Sequence, residues 1–292
     1  MEQITKGPIQ PLRLGPDSRF QFRCHKDVKC FTQCCRGINI ILTPYDIIGL
    51  KNRLGLSSGD FLAVYTELQM LEKTDVPVVT LKLLDEEGTP ADRRACPFVR
   101  DEGCIVYEDR PTACRYYPVA LLSMRRQDET TDRDSYAMVK EPHCLGHQEP
   151  RELTIDAYRA EQGLPEYDEL ARGWRQLILK KKSSGPTIGK PSKRSLQLFF
   201  MACYDLDRFR AFVASDGFAE LFDLPADEMQ MILTDDTALM LFGFRFLHQT
   251  LFGEVTIPVR QETAEQRRTR FLEKRARLER DAAERSGGEP GT

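Results

Sequence analysis

With 292 residues, 41% apolar content and a formal net charge of −3, the chain is long enough for one large or two modest cores. That charge balance points to no polyanionic partner, so nucleic acid is not expected. The opening MEQITKGPIQPLRLGP has no apolar core or cleavage site and nothing approaches transmembrane length, so a cytoplasmic protein with no membrane partner is expected.

Residues 1–20 are irregular and read as a lead-in strap. The stretch from Phe20 to Cys35 then carries Cys24, Cys30, Cys34 and Cys35, spaced C-x5-C-x3-C-C. A strand is expected over 38–42. Thr43-Pro44 with Asp46 in the first turn starts a helix that Gly55 stops. A second helix is expected from Ser57 or Ser58, covering Phe61, Leu62, Tyr65 and Leu68, and a strand over 78–84. The stretch 96–118, CPFVRDEGCIVYEDRPTACRYYP, is where the chain concentrates its chemistry. Pro97 biases Cys96 to extended geometry, 99–103 has turn composition, and 104–107 reads as a brief buried strand. Pro111 suits the start of a short helix carrying Cys114 and ending before Pro118.

Beyond it, 120–126 and 135–140 read as a hairpin joined by a charged loop, and a tight turn delivers Cys144. Helices follow from Thr154 to near Gly163, and from Pro165 through Trp174 to Lys180. Residues 180–194, KKKSSGPTIGKPSKR, have linker composition. Residues 195–253 are helical and apolar, with Thr234 expected to cap the last helix, and an Arg/Glu-rich tail closes the chain. The expected architecture is α+β: a cysteine-rich metal-binding domain over 1–180, a basic linker over 181–194, a small helical domain over 195–257 and a charged helical tail over 258–292.

Of nine cysteines, eight fall between Cys24 and Cys144, and Cys203 lies apart in an apolar helix. In a reducing compartment such clustering points to metal or redox chemistry rather than disulfides. The expected ligands are Cys24, Cys30, Cys34, Cys35, Cys96, Cys104, Cys114 and Cys144. The spacings are not those of a zinc finger or ribbon. Side chains at adjacent positions diverge, so Cys34 and Cys35 do not readily share one mononuclear ion. Either one ligates while the other packs, or two centres or a polynuclear cluster use both. Zinc, iron and iron–sulfur centres all suit soft thiolates. Four thiolates around a divalent ion leave a charge of −2, and Lys26, Lys29, Arg36, Arg93, Arg94 and Arg115 lie beside the thiols in sequence. Arg115, directly after Cys114, is expected to donate to sulfur as a cofactor-binding residue. His143, beside Cys144, is the histidine to test as a ligand. The sequence has no G-x-G-x-x-G after a strand, no Walker loop and no H-E-x-x-H.

The segments CFTQCCRG, TPYDIIGLKNRLGLSSGDFL, ACPFV, GCIVYEDRPTACRYYP and the later HC resemble the YkgJ-type cysteine-cluster proteins, the CxxCxxCC family of zinc or iron chelators. The resemblance covers roughly residues 20–150, although the first cysteines here are C-x5-C-x3-CC where the family name has C-x2-C-x2-CC. It implies binding of zinc, iron or an iron–sulfur cluster. Because flagellin lysine-N-methylases belong to the same family, it also implies an alternative, an S-adenosylmethionine-dependent protein lysine N-methyltransferase. A third reading is a metal-stapled adaptor whose helical C-terminal half docks a protein partner.

Overall fold

Among the described residues, three two-stranded antiparallel sheets, a three-stranded sheet and ten α-helices make up most of the regular structure in the computed structural model. It describes residues 13–71, 74–85, 93–124, 133–183 and 191–260, with 265, 269, 272, 273, 275 and 276 beyond. Most of the strap, most of the hairpin loop, the centre of the basic linker and most of the tail lie outside the described residues.

The first core forms around β2 (Ile41–Leu42), β4 (Val76–Leu81) and β3 (Thr66–Leu71), hydrogen-bonded in the order β2-β4-β3. All six β4 residues are buried, and four of them are β-branched, which suits a central strand. Helix α1 (Pro44–Leu54) starts as expected: the Thr43 hydroxyl accepts from the Asp46 N–H and the Asp46 carboxylate accepts from the Thr43 N–H. Helix α2 (Ser58–Tyr65) is shorter than expected. Leu68, expected on its apolar face, lies in β3 and is exposed. Pairing with the buried β4, from Thr66 opposite Leu81 to Leu71 opposite Val76, overrides the helical spacing.

A second, smaller core contains Phe22, Tyr116, Val119, Tyr136, Leu153, Ile155, Tyr158 and Leu164. It is built by β1 (Arg19–Gln21) paired with β9 (Glu152–Thr154), and by the expected hairpin of β7 (Val119–Met124) and β8 (Arg133–Met138). Helices α3 (Thr112–Tyr116) and α4 (Ile155–Glu161) complete it. Thr154 caps α4 by accepting from the Ala157 N–H.

The remaining helices are α5 (Leu164–Ser183), α6 (Lys193–Cys203), α7 (Leu206–Val213), α8 (Asp216–Ala219), α9 (Ala226–Thr234) and α10 (Asp236–Phe252). Thr234 ends α9 rather than capping α10. Asp235 is the cap, accepting from the Ala238 N–H at 2.6 Å. These helices do not build a core of their own. Phe209, Phe218, Phe242 and Phe246 belong to the same apolar cluster as Leu42, Ile47, Phe61, Val78 and Phe98. The units expected at 1–180 and 195–257 therefore share one interior. None of the described helices is long and apolar enough to cross a membrane.

Helix α10 crosses α6 at Gly243, where a Cβ would stand 2.7 Å from the Ala202 carbonyl oxygen. Alanine would gain about 1 kcal/mol of helix propensity. That gain is outweighed by an overpacking cost of about 1–3 kcal/mol, because the obstacle is backbone and cannot rotate away. Gly243→Ala is expected to lower the denaturant midpoint, as read by urea titration.

Candidate metal centre

The cysteines arrive on segments with little regular structure. Cys24 follows β1, Cys34 and Cys35 lie in a single 3-10 turn (Gln33–Cys35), and Cys104 ends the two-residue strand β6 (Gly103–Cys104), paired with β5 (Val99–Arg100). The expected strand over 104–107 is confined to that strand. Tyr107 starts a 3-10 turn, and Ile105 and Tyr107 are exposed while Val106 is buried. Pro111 is the residue just before α3 rather than its first residue. All nine cysteines are free thiols.

Backbone contacts bring these segments together. The Cys96 N–H donates to the Cys35 carbonyl at 2.8 Å, and Arg36 bridges Ala95. Val99 pairs with Cys104 across the β5–β6 hairpin. At another corner, the Arg23 N–H donates to the Gly146 carbonyl and the Leu145 N–H donates to the Cys30 sulfur at 3.2 Å. Gly146 permits this approach, since a Cβ there would lie 2.7 Å from the Phe22 ring and 2.9 Å from the Arg23 carbonyl oxygen.

Asp46 fixes α3, which carries Cys114. Its Oδ1 accepts from the Thr112 N–H at 2.8 Å and the Thr112 hydroxyl at 2.6 Å, while Oδ2 accepts from the Thr43 N–H at 2.8 Å. One buried carboxylate thus caps two helices, a role for Asp46 that the sequence reading missed beyond the first helix.

The thiols are electrostatic neighbours. Cys24 is exposed as a residue, yet partial desolvation of its thiol, then Cys34, Cys30 and Cys144, push it up to about 11. Burial likewise raises Cys96 to about 11, partly offset by the nearby backbone N–H groups of Phe98 and Val99. Cys114 is raised by burial and then by Cys96, Cys34, Asp46 and Cys104. Cys104 is raised by burial, against the Val106 N–H and Arg110. Cys35 is raised because it donates to the Cys34 sulfur, and Cys34 is lowered by accepting that bond. Among the described residues, no three His, Cys, Asp or Glu side chains are arranged to hold one ion, so the sulfurs stop short of sharing distance.

Arg115 does not go to sulfur. It is buried, and it donates from Nε to the Arg110 carbonyl at 3.0 Å and from Nη1 to the Gln162 carbonyl at 2.8 Å. Nη2 donates to the Glu108 carbonyl and to the Tyr167 hydroxyl, and the guanidinium lies 4.0 Å over the Tyr167 ring. Its fork geometry satisfies backbone carbonyls at the start of α3 and the end of α4, and that use of its donors leaves the thiols to another cation. Arg110 is the guanidinium that lowers Cys104, while donating to the Tyr107 carbonyl and Gln162 Oε1, both at 2.6 Å. Its place midway between Cys104 and Cys114 was the available signal. Arg115→Ala should cost about 2–4 kcal/mol, since hydrogen bonds from a charged donor contribute about 1.5–3 kcal/mol each. Thermal melts of the two proteins check this, and a neutral result would mean that these hydrogen bonds add no net stability. Arg94 pairs with Asp85 at 2.7 Å. His143 faces Glu141, His25 faces Asp27 and Glu149, and His147 faces the Val139 carbonyl.

Tyr117 was not singled out by the sequence. Its hydroxyl is buried against Cys144 and Glu141 without a well-formed hydrogen bond, and burial, then those two groups, raise its pKa. A thiolate at Cys144 would give it an acceptor. The set fits a soft-metal centre in donor chemistry: free thiols, sulfur-facing N–H and O–H donors, and buried groups that a cation would ionise. A cavity of about 180 Å³ lies elsewhere, lined by Val76, Leu177, Phe199 and Leu251 among others, and no cysteine lines it.

Residues 23–145 match the protein-family model CxxCxxCC, described as "Putative zinc- or iron-chelating domain". The match agrees with the family resemblance in the sequence and supports metal binding in general. No curated protein and no solved structure matches the chain.

Proposed function

We propose, from the premise that residues 23–145 are a CxxCxxCC domain, that this protein holds zinc, iron or an iron–sulfur cluster through its clustered cysteines. The observation that carries this reading is the gathering of free thiols with a backbone donor on one of them: the Leu145 N–H donates to the Cys30 sulfur at 3.2 Å, and Cys96 and Cys104 act electrostatically on Cys114. Such a donor stabilises a thiolate and tunes the metal it holds. A neutral thiol gains little from it.

The bound metal supplies cross-links between segments that have few hydrogen bonds of their own. Around the cysteines the chain offers strands of two or three residues and single 3-10 turns, so binding free energy is folding free energy there. The role that follows is structural.

Anaerobic purification with metal and acid-labile sulfide analysis tests the reading. The expected result is zinc or iron in at least equimolar amount, with sulfide deciding between an ion and a cluster. Chelation should then lower the melting temperature, and re-addition of the same metal should restore it. Metal-free protein whose melting is unmoved by zinc(II) or iron(II) would overturn the proposal.

A further inference from the structure

We infer that the cavity between α5, α6, the end of α10 and the start of β4 is a binding site for a small organic carboxylate, one aromatic ring or a branched alkyl group of similar size carrying the anionic head. No cysteine lines this cavity, so the inference stands apart from the metal centre.

Size comes first. The cavity holds about 180 Å³. Protein interiors are close-packed, and a gap of this size leaves side chains on every wall without partners. A cavity of about 150 Å³ with apolar walls takes up benzene, so this one has room for a single ring. Its apolar walls are Val76, Leu177, Leu196, Phe199, Leu251 and Phe252, brought together from β4, α5, α6 and α10.

Polarity then gives the ligand a direction. Lys181 lies one turn after Leu177 on α5, and Ser195 lies one turn before Phe199 on α6. Both line the cavity, together with Ser192. Leu177 and Phe199 are 1% and 3% exposed, whereas Lys181 and Ser195 are half-buried and Ser192 is exposed. The deep end is therefore apolar and the mouth polar, the layout that seats a ring inside and a charged head at the surface.

Charge selects the head group. None of the described lining residues is acidic, Lys181 is cationic, and Lys193 and Arg194 follow Ser192 in the first turn of α6. Glu254, two residues after Phe252, is paired with Lys180 and His248. Ser192 Oγ accepts from the Ser195 N–H at 3.0 Å and lies 2.9 Å from Ser195 Oγ. One hydroxyl hydrogen makes that second contact, which leaves the other to donate to a carboxylate oxygen.

The test titrates 3-phenylpropanoate and its neutral counterpart 3-phenylpropan-1-ol into the full chain by calorimetry. The acid is expected to bind more tightly than the alcohol and to raise the melting temperature as its concentration rises. Lys181→Gln should weaken the acid about tenfold, as for the loss of one hydrogen bond from a charged donor, and leave the alcohol unchanged. Leu196→Trp, which fills the cavity from a half-buried wall, should abolish binding of both. Where that variant loses its helical circular dichroism, Leu251→Phe replaces it. No binding of the acid to the wild-type chain would overturn the inference and mean that the chain's own residues close the cavity. Equal affinity for acid and alcohol would mean an apolar cavity without an anion site, and would overturn it too. So would tighter binding of dodecanoate than of 3-phenylpropanoate, the mark of a lipid chain. Acid binding untouched by the filling variants would place the acid elsewhere, on a thiolate-bound metal for example, and overturn the site.

Discussion

A chain cut after Lys180 should not fold cooperatively, although its composition marks a linker there. The cut removes α6 to α10, whose Phe199, Leu206, Phe209, Leu239 and Phe242 share an interior with β4, α1 and α2. Burying one large apolar side chain contributes roughly 1.5–3 kcal/mol. Losing several such partners is comparable with the roughly 5–15 kcal/mol that a folded domain has in total. Polar ties go as well. Buried Lys51 loses Asp236 at 2.7 Å, and an unpaired buried charge costs about 3–5 kcal/mol. Ser58 loses Asp205 and Asp207, and Trp174 loses the Tyr204 hydroxyl at 3.0 Å. Thermal melts followed by circular dichroism compare the fragment with the full chain. A single sharp transition in the fragment would show that the halves are independent.

Replacing Asp46 by alanine should be the most damaging single change near the cysteines. Three buried donors would lose their acceptor: the Thr43 N–H, the Thr112 N–H and the Thr112 hydroxyl. At about 1–3 kcal/mol for each unsatisfied buried group, the expected loss is at least about 3 kcal/mol. For a protein of this size that corresponds to a drop in melting temperature on the order of 10 °C. The effect should reach the metal, because α3 carries Cys114 and starts at Thr112. Metal retention against a chelator should fall by about 10–100-fold, as for other residues that orient ligands. Asp46→Asn keeps the shape but presents an N–H₂ to one donor, so it should fall between wild type and alanine. Unchanged melting and retention in the alanine variant would mean that α3 is held by its apolar contacts alone.

The difference between Arg115 and Arg110 shows where sequence proximity misleads. Arg115 follows a cysteine directly, but the helix turns its side chain away to the carbonyls of Glu108, Arg110 and Gln162. Arg110, four residues before Cys114, is the cation that acts on Cys104. Within six residues of chain, side-chain direction decides the partner, and for Arg115 that direction depends on elements such as α5, which supplies Tyr167 and arrives much later in the chain.

Local chemistry made several features readable in the sequence alone. The cysteine set and its family resemblance stand in the motif itself. Thr43-Pro44 with Asp46 starts α1 because a capping box is complete within four residues, and Thr154 starts α4 in the same local way. The β7–β8 hairpin was visible because its two strands are neighbours along the chain. Only the tertiary structure decided the rest. Strand β3 exists because β4 offers it a ladder, the helical half shares its interior with the first half, and Asp46 reaches across to Thr112. Each of these is a contact between residues far apart in sequence or a choice between competing contacts. Spacing and propensity carry information over a few residues, whereas burial is settled by whichever distant surface excludes water best.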